Sequence, residues 1–270
     1  MRRSTQGKRL KRIARTGAIV AVAGWLAPWP IGILIACGVI DVCRHRHITA
    51  ELLEKYFTGN GIATWLLSPV NLLADLFSDR NRRRFALNDL PAGHQQEIEA
   101  CVRAFLANGE RIKMHLADMA DGQKRTMLVF RWFGTTQPSA LKVPEFTAQY
   151  RHIKTIAVSA FGTRERTSRH FGPLRLTFRV LYNLEPPTTD DVFIEVDGEV
   201  HYWRDNPLFI FDDTVLHRSV NDREGMRYCL FMDIARPSPF PRSFNAAVRV
   251  TSAIAGSFNR LFYKNWSFVR

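Results

Sequence analysis

Histidines and carboxylates cluster in the carboxy-terminal half of the chain: His152, His170, His201 and His217 fall in the same region as Asp205, Asp212 and Asp213. Imidazole and carboxylate are the donors that a ferrous centre takes, commonly two histidines and one acid on a facial triangle, with the remaining positions left open for co-substrate and O2. A lone strand histidine is more often a satisfied core residue than a ligand, so types and spacing alone leave all seven residues as candidates.

The elements that must position them follow from a change of period at residue 152. IKTIAVSAF, LRLTFRVLYNL, DVFIEV, EVHYW, LFIF, VLHRSV and MRYCLFMDI are short alternating or apolar runs, separated by Gly162, Gly172-Pro173, Pro186-Pro187, Asp197-Gly198, Asn206-Pro207 and Gly225. Asp197-Gly198 between two such runs is a two-residue hairpin signal. Short strands at this spacing predict a mainly β sandwich or jelly roll rather than a parallel α/β sheet. Such a fold brings residues from distant strands to one place. Residues 89–109 predict a helix, with Pro91 near its start, Ile98, Cys101, Val102 and Phe105 at helical spacing and Asn108-Gly109 at its close.

The residues between these breaks carry a specific resemblance. His170-Phe171-Gly172-Pro173, then Arg179, then Phe211-Asp212-Asp213-Thr214-Val215-Leu216-His217 with Asn221, then Arg227 and Asp233-Ile234-Ala235-Arg236-Pro237 resemble the aspartyl/asparaginyl β-hydroxylase family. Within that family, FIEVDGEVHYWRD at 193–205 is especially similar to bacterial lipid A acyl-chain 2-hydroxylases. The resemblance implies a double-stranded β-helix (jelly roll) that uses Fe(2+), 2-oxoglutarate as co-substrate and O2. It makes His170 and His217 the iron ligands and the catalytic residues, with a water in place of a carboxylate because Gly172 stands where other ferrous oxygenases have an acid. It also makes Arg227 the partner of the distal carboxylate of 2-oxoglutarate, helped by the hydroxyl of Ser159, with Arg179 nearby. The family often has Arg-x-His where this chain has Arg179-Val180-Leu181, so one co-substrate contact differs. Asp212 and Asp213 either cap the turn before His217 or orient a ligand imidazole.

Charge and hydropathy describe the rest. The net charge of +13 sits mainly at the ends: Arg2, Arg3, Lys8, Arg9, Lys11, Arg12 and Arg15 at one, and Arg242, Arg249, Arg260, Lys264 and Arg270 at the other, with no acid among residues 1–16 or 242–270. A nearly neutral middle does not suit nucleic acid, whereas basic ends beside apolar stretches suit an anionic membrane surface. Residues 1–16 are read as a basic cytoplasmic tail and 17–84 as a membrane anchor. In the anchor, 17–42 is a transmembrane or, given Pro28 and Pro30, a kinked or re-entrant segment, and 62–77 is a short apolar helix. Leu34-Ile35-Ala36-Cys37 also resembles a lipoprotein processing box, disfavoured because the apolar run continues past it. Residues 85–241 are the catalytic jelly roll and 242–270 a basic amphipathic helix. Cys37, Cys43, Cys101 and Cys229 show no metal or disulfide spacing and are expected to be reduced.

The expected activity is hydroxylation of an acyl chain of a membrane lipid, lipid A or an amino-acid-containing lipid, at the bacterial inner membrane with the catalytic domain in the cytoplasm. The competing expectations are β-hydroxylation of Asp or Asn in a protein and, from another class, a non-catalytic membrane scaffold.

Overall fold

Two prolines and a change of hydropathy shape the first part of the chain. In the computed structural model, which describes residues 2–59, 64–78, 83–120, 122–172, 174–242, 244, 246, 247, 250 and 267–269, α1 (Arg2–Leu26) and α2 (Pro28–Val42) form a helical hairpin. The break falls at Ala27, whose φ of −143° and ψ of 70° leave the helical region. The ring of Pro28 disfavours helical backbone in the residue before it and is itself well suited to start the next helix. Residues 17–42 are therefore not one continuous span, and α1 already begins within the basic residues at the amino end. Among the described residues no helix is long and apolar enough to cross a membrane. The apolar part of α1 starts only at Gly17, and α2 has 15 residues.

Helix α3 (Ala50–Thr58) is capped by the Thr49 hydroxyl, which accepts from Leu52 N–H at 3.1 Å, and α4 (Ser68–Phe77) packs beside α2. A short β1 (Arg84–Phe85) leads to α5 (Ala92–Ala107) and α6 (Gly109–Ala120). Asn108 ends α5 as the sequence predicts, but α6 restarts at once. The remaining elements are β2 (Arg125–Trp132), β3 (Thr135–Thr136), α7 (Pro144–Thr147), β4 (Ile153–Phe161), β5 (Glu165–Arg166), β6 (Thr177–Asn183), β7 (Val192–Val196), β8 (Glu199–Tyr202), β9 (Leu208–Phe211), β10 (His217–Asn221), β11 (Arg227–Ala235) and β12 (Ser267–Val269).

The predicted runs from residue 153 to 235 all contain strands. They form two sheets, ordered β1-β9-β6-β11-β4-β2-β12 with β3 on the side of β2, and β5-β10-β7-β8. Pairing is antiparallel except for β12 on β2. From β6 onward the chain passes between the sheets, with β7, β8 and β10 in the smaller and β9 and β11 in the larger, the winding expected of a jelly roll. Asp197 and Gly198 take positive φ of 52° and 84° in the β7–β8 turn, as a two-residue hairpin requires. The four cysteines are free.

Alternation along β11 separates two cores. Leu230, Met232 and Ile234 face α5 and α6, with Ile98, Phe105 and Leu116, while Cys229 and Phe231 face the smaller sheet, with Ile194, Val196, Trp203 and Phe211. Strand β2 has no counterpart among the predicted runs. It is buried on both faces, which erases the alternation by which an exposed-on-one-side strand is read. Most of the helix expected over 242–270 lies outside the described residues. Phe244 packs with Ala74 and Leu176, and Ser267–Val269 pairs with β2 as a strand rather than continuing a helix.

The helical unit is fastened to the sandwich by a buried group of charges. Arg175, fully enclosed, hydrogen-bonds Asp41 of α2 and Asp75 of α4. The Tyr56 hydroxyl donates to Asp41 at 2.6 Å; burial and Asp41 raise the Tyr56 pKa, so it stays a neutral donor. Asp212, in the loop before β10, accepts from Arg44 at 3.1 Å and forms an ion pair with Arg236 at 2.7 Å. Burial alone would raise Asp212, but Arg236, Arg44 and Arg175 hold it well below the usual carboxylate range. An apolar contact runs in parallel: Phe171 and Leu216 pack against Val42, Leu52, Tyr56 and Trp65 of the helices. Removing one member of a buried ion pair leaves an uncompensated charge. Asp41→Asn is therefore expected to lower stability by about 3 kcal/mol, read as a shift of the urea midpoint with unchanged far-ultraviolet circular dichroism.

Candidate active site

Two of the four candidate histidines meet. His170, in the turn after β5, and His217, first residue of β10, exchange both backbone hydrogen bonds at 3.0 Å and bring their rings to 4.2 Å between centroids. Each Nδ1 lies against a carbonyl, His170 on Ser168 O at 2.7 Å and His217 on Val215 O at 2.9 Å. A carbonyl only accepts, so Nδ1 carries the proton in both rings and Nε2 keeps its lone pair. Burial lowers both pKa values, His170 to about 4 and His217 well below its ordinary value, where His170 adds to the effect. The pair is thus neutral, oriented and ready to donate from Nε2, the state a divalent metal binds.

The other two histidines are elsewhere. His152 stacks on His94 at 3.8 Å, and His201 stacks on Phe209 at 4.2 Å with Nε2 on Asn206 O at 3.0 Å. Asp205 sits in the β8–β9 turn and pairs with Arg204 at 3.2 Å. Among the described residues no group of three or more His, Cys, Asp or Glu could hold a metal.

Asp212 and Asp213 divide the roles considered for them. Asp212 Oδ1 accepts from Thr214 N–H at 2.9 Å, the Asx turn expected before His217, and also anchors the arginines described above. Asp213 turns toward the histidines' loop: a Cβ built on Gly172 would lie 2.5 Å from its carboxyl carbon. Gly172 N–H also donates to Asp213 O at 2.7 Å. Residue 172 must therefore be glycine for Asp213 to occupy this place. Asp213 accepts from Arg179 Nη2 at 2.7 Å, yet burial, with Asp233 and Asp212 nearby, raises it to about 6.

Arg227, Ser159 and Arg179 all lie on the inner face of the larger sheet, since cross-strand partners share a face and the period is two. Arg227 opposes Phe161 and Ser159 opposes Cys229. The Arg227 guanidinium is buried, lies over the rings of Phe161 at 5.2 Å and Trp203 at 5.4 Å, and donates Nη2 to Ser219 Oγ at 2.9 Å. Ser219 is two residues beyond His217 on β10, which sets this arginine beside the histidine strand. Its Nε and Nη1 have no hydrogen-bond partner among the described residues, and burial lowers its pKa. A buried cation with an open fork fits a carboxylate. Ser159 Oγ donates to Cys229 O at 3.2 Å. Arg179, by contrast, is held between Asp213 and Asp233, each at 2.7 Å, over the Phe231 ring. Leu181, opposite Phe231, is part of the apolar core.

Sequence reasoning did not single out Ser219, Trp203 or Phe161, which surround Arg227: the period of two from His217 points to Ser219, whereas Phe161 is the cross-strand partner of Arg227 on β4 and Trp203 follows β8, so only strand pairing brings them there. It also missed Asp41 and Arg175, for which no local signal exists. Asn221, quoted with the family motif, donates its side-chain amide to Phe161 O, Gly162 O and Gly225 O at 3.2, 2.7 and 3.0 Å, which holds the turn that starts β11 at Arg227.

The profile of the aspartyl/asparaginyl beta-hydroxylase family matches residues 93–237. The ornithine lipid ester-linked acyl 2-hydroxylase of Rhizobium tropici is 30% identical over 93 residues, which are 34% of this chain and 33% of that protein, so the match spans about a third of that curated relative. Among solved structures, an oxidoreductase of the 2OG-Fe(II) oxygenase family from Burkholderia pseudomallei aligns at 14% identity and a TM-score of 0.29 over 42% of this chain and 68% of that one. A salicylate 1,2-dioxygenase from Pseudoaminobacter salicylatoxidans aligns at 11% and 0.28 over 51% and 34%. The family match takes in more than half of the chain and contains the histidine pair, Arg227 and the whole strand set from β2 to β11, and on that ground the chain belongs to the aspartyl/asparaginyl beta-hydroxylase family.

Proposed function

We propose that this protein is an Fe(II)/2-oxoglutarate-dependent dioxygenase that hydroxylates an acyl chain of a membrane lipid. The observation that carries this reading is the open, buried fork of Arg227 next to a neutral histidine pair whose Nε2 atoms are free to donate. His170 and His217 would hold the iron. Arg227 would receive the distal carboxylate of 2-oxoglutarate, with the Ser159 and Ser219 hydroxyls beside it and Phe161 and Trp203 excluding water from the ion pair. Arg179 lies on the same inner face of the larger sheet, where Asp213 and Asp233 orient it. Leu181 makes the wall near Phe231 apolar, so the co-substrate is held chiefly from the Arg227 end. Ferrous iron with 2-oxoglutarate and O2, when bound, supplies the oxidising power to convert an unactivated C–H to C–OH.

The substrate class rests on two supports. The R. tropici relative is, by its name, an acyl 2-hydroxylase of ornithine lipid, an amino-acid-containing lipid; lipid A is the alternative acylated membrane lipid. The apolar helices and basic ends of the chain suit an anionic membrane surface, here the cytoplasmic face of the bacterial inner membrane, and the near-neutral middle does not suit nucleic acid.

Purified protein given ferrous iron, 2-oxoglutarate, O2 and extracted bacterial lipids is expected to add one oxygen to an acyl chain and release succinate, both read by mass spectrometry. Unchanged lipids together with an oxygen added to Asp or Asn of a peptide would replace the lipid by a protein substrate, and no succinate under any condition would leave a scaffold. His170→Ala or His217→Ala should abolish iron-dependent succinate formation while circular dichroism stays unchanged. Arg227→Ala should raise the 2-oxoglutarate concentration for half-maximal rate by about two orders of magnitude, the scale of losing one partner of a buried charge pair, with little change in iron affinity.

A further inference from the structure

We propose that the α1–α2 hairpin is a re-entrant membrane element, entering the hydrocarbon of one leaflet tip-first and returning, so that both its ends stay on the same face of the bilayer. This deepens the lipid-substrate reading and rests on it for the choice of a bilayer as the occupant.

The two ends of the hairpin are tied to one body. On α1, Arg9 and Arg12 pair with Glu54 of α3 at 2.5 and 2.8 Å. At the end of α2, Asp41 is bonded to Tyr56 of α3 and to Arg175. Chain that leaves this body along α1 returns to it along α2, a path that cannot end on the far side of a membrane.

Between these ties the hairpin is apolar and uncovered. Trp25 and Trp29 at its tip are each 83% exposed, and Ile19, Val22, Ile33 and Ile40 are exposed along its legs. Tryptophan side chains present about 150–250 Å² each in general terms, so two at one tip, continued by the legs, make a patch of the kind that soluble surfaces rarely leave open. Lys11 and Arg15 are exposed where the apolar stretch begins, at the height of anionic headgroups. Beside the base, Leu66 just before α4 and Val70, Leu73 and Phe77 along it form an exposed apolar stripe, a shelf suited to lie on the same leaflet.

Length and backbone chemistry agree. From Thr16 to Leu26 and from Pro28 to Ile40 the legs measure about 16 and about 20 Å at a rise of about 1.5 Å per residue, against about 15 Å for the hydrocarbon of one leaflet and about 30 Å for both. In hydrocarbon an unpaired N–H is expensive, and the first turn of a helix normally exposes several. At this tip Pro28 and Pro30 have no N–H to expose, Ala27 N–H donates to Ala23 O at 2.8 Å and Ile31 N–H to Ala27 O at 3.2 Å. The prolines that rule out a continuous span are the residues that make a buried tip tolerable.

The test uses the full chain with vesicles of phosphatidylethanolamine and phosphatidylglycerol, and needs neither iron nor turnover. The tip signal is the tryptophan fluorescence of the wild type minus that of the Trp25→Phe/Trp29→Phe variant. It is expected to be quenched at least about twofold by lipids brominated on their acyl chains and to lose its quenching by aqueous iodide once vesicles are added. For the ends, Ser4→Cys in a Cys37→Ser background and the native Cys43, exposed just beyond α2, should react with an impermeant maleimide from the same side. A tip that stays open to iodide on vesicles, a tip shielded in a dimer without lipid, or labelling from opposite sides overturns the proposal. Absence of lipid hydroxylation with the quenching intact would instead remove the substrate reading and leave the hairpin as proposed.

Discussion

Arg175 sets the constraint on which the rest of the molecule depends. A guanidinium with no exposure must have its charge and donors met from within the protein, and the carboxylates that meet it come from α2 and α4, the helices outside the sandwich. The sandwich therefore cannot close around this loop without the helical unit in place. Arg44 and Arg236 extend the group to Asp212, five residues before His217, so the same set of charges that joins the two parts also fixes the loop that delivers a proposed ligand.

That joint places the site at a seam. Phe171 and Leu216, immediate neighbours of His170 and His217, leave the sandwich and pack among Val42, Leu52, Tyr56 and Trp65. The backbone between the two histidines is a single bridge of two hydrogen bonds rather than part of a long ladder, and such a short pairing gains its rigidity from what is packed against it. The helices that carry the apolar hairpin are thus also the outer support of the histidine pair. In a protein acting on an acyl chain, the element seated in the lipid and the element that holds the metal would share one wall.

Within the site, the charges follow two rules. Arg44, Arg175 and Arg236 share Asp41, Asp75 and Asp212, and Arg179 lies between Asp213 and Asp233, so each of these buried cations has a carboxylate partner. Arg227 is different: its neighbours are aromatic rings and one hydroxyl, and two of its nitrogens lack a partner among the described residues. Structural ion pairs satisfy themselves, whereas a buried charge left open is the mark of a group that completes its shell with a ligand.

The strands and the Asp197-Gly198 turn were legible in the sequence because each is a local signal, a period of two or a turn dipeptide, and motifs of ordered spacing were what proposed His170, His217 and Arg227 as site residues. Strand β2 was not, since burial on both faces removes the period, and the restart of the helix at Gly109 was not, since capping residues end one helix without forbidding another. Residue types alone left four histidines and three acids as candidates. The motif resemblance singled out His170 and His217, and the tertiary structure shows that these two meet while His152 and His201 stack on other rings, because meeting is decided by which strands lie side by side. Pro28 announced a break in the apolar stretch; that the chain turns back there, with Arg9 and Arg12 reaching Glu54, is a contact between residues more than forty positions apart. Likewise the partners of Arg175 lie 134 and 100 residues away in the chain. Sequence alone determined most of the strands and turns, while the fold decided which charges and rings share an enclosed space, because burial and Coulomb attraction depend on distance in space and not along the chain.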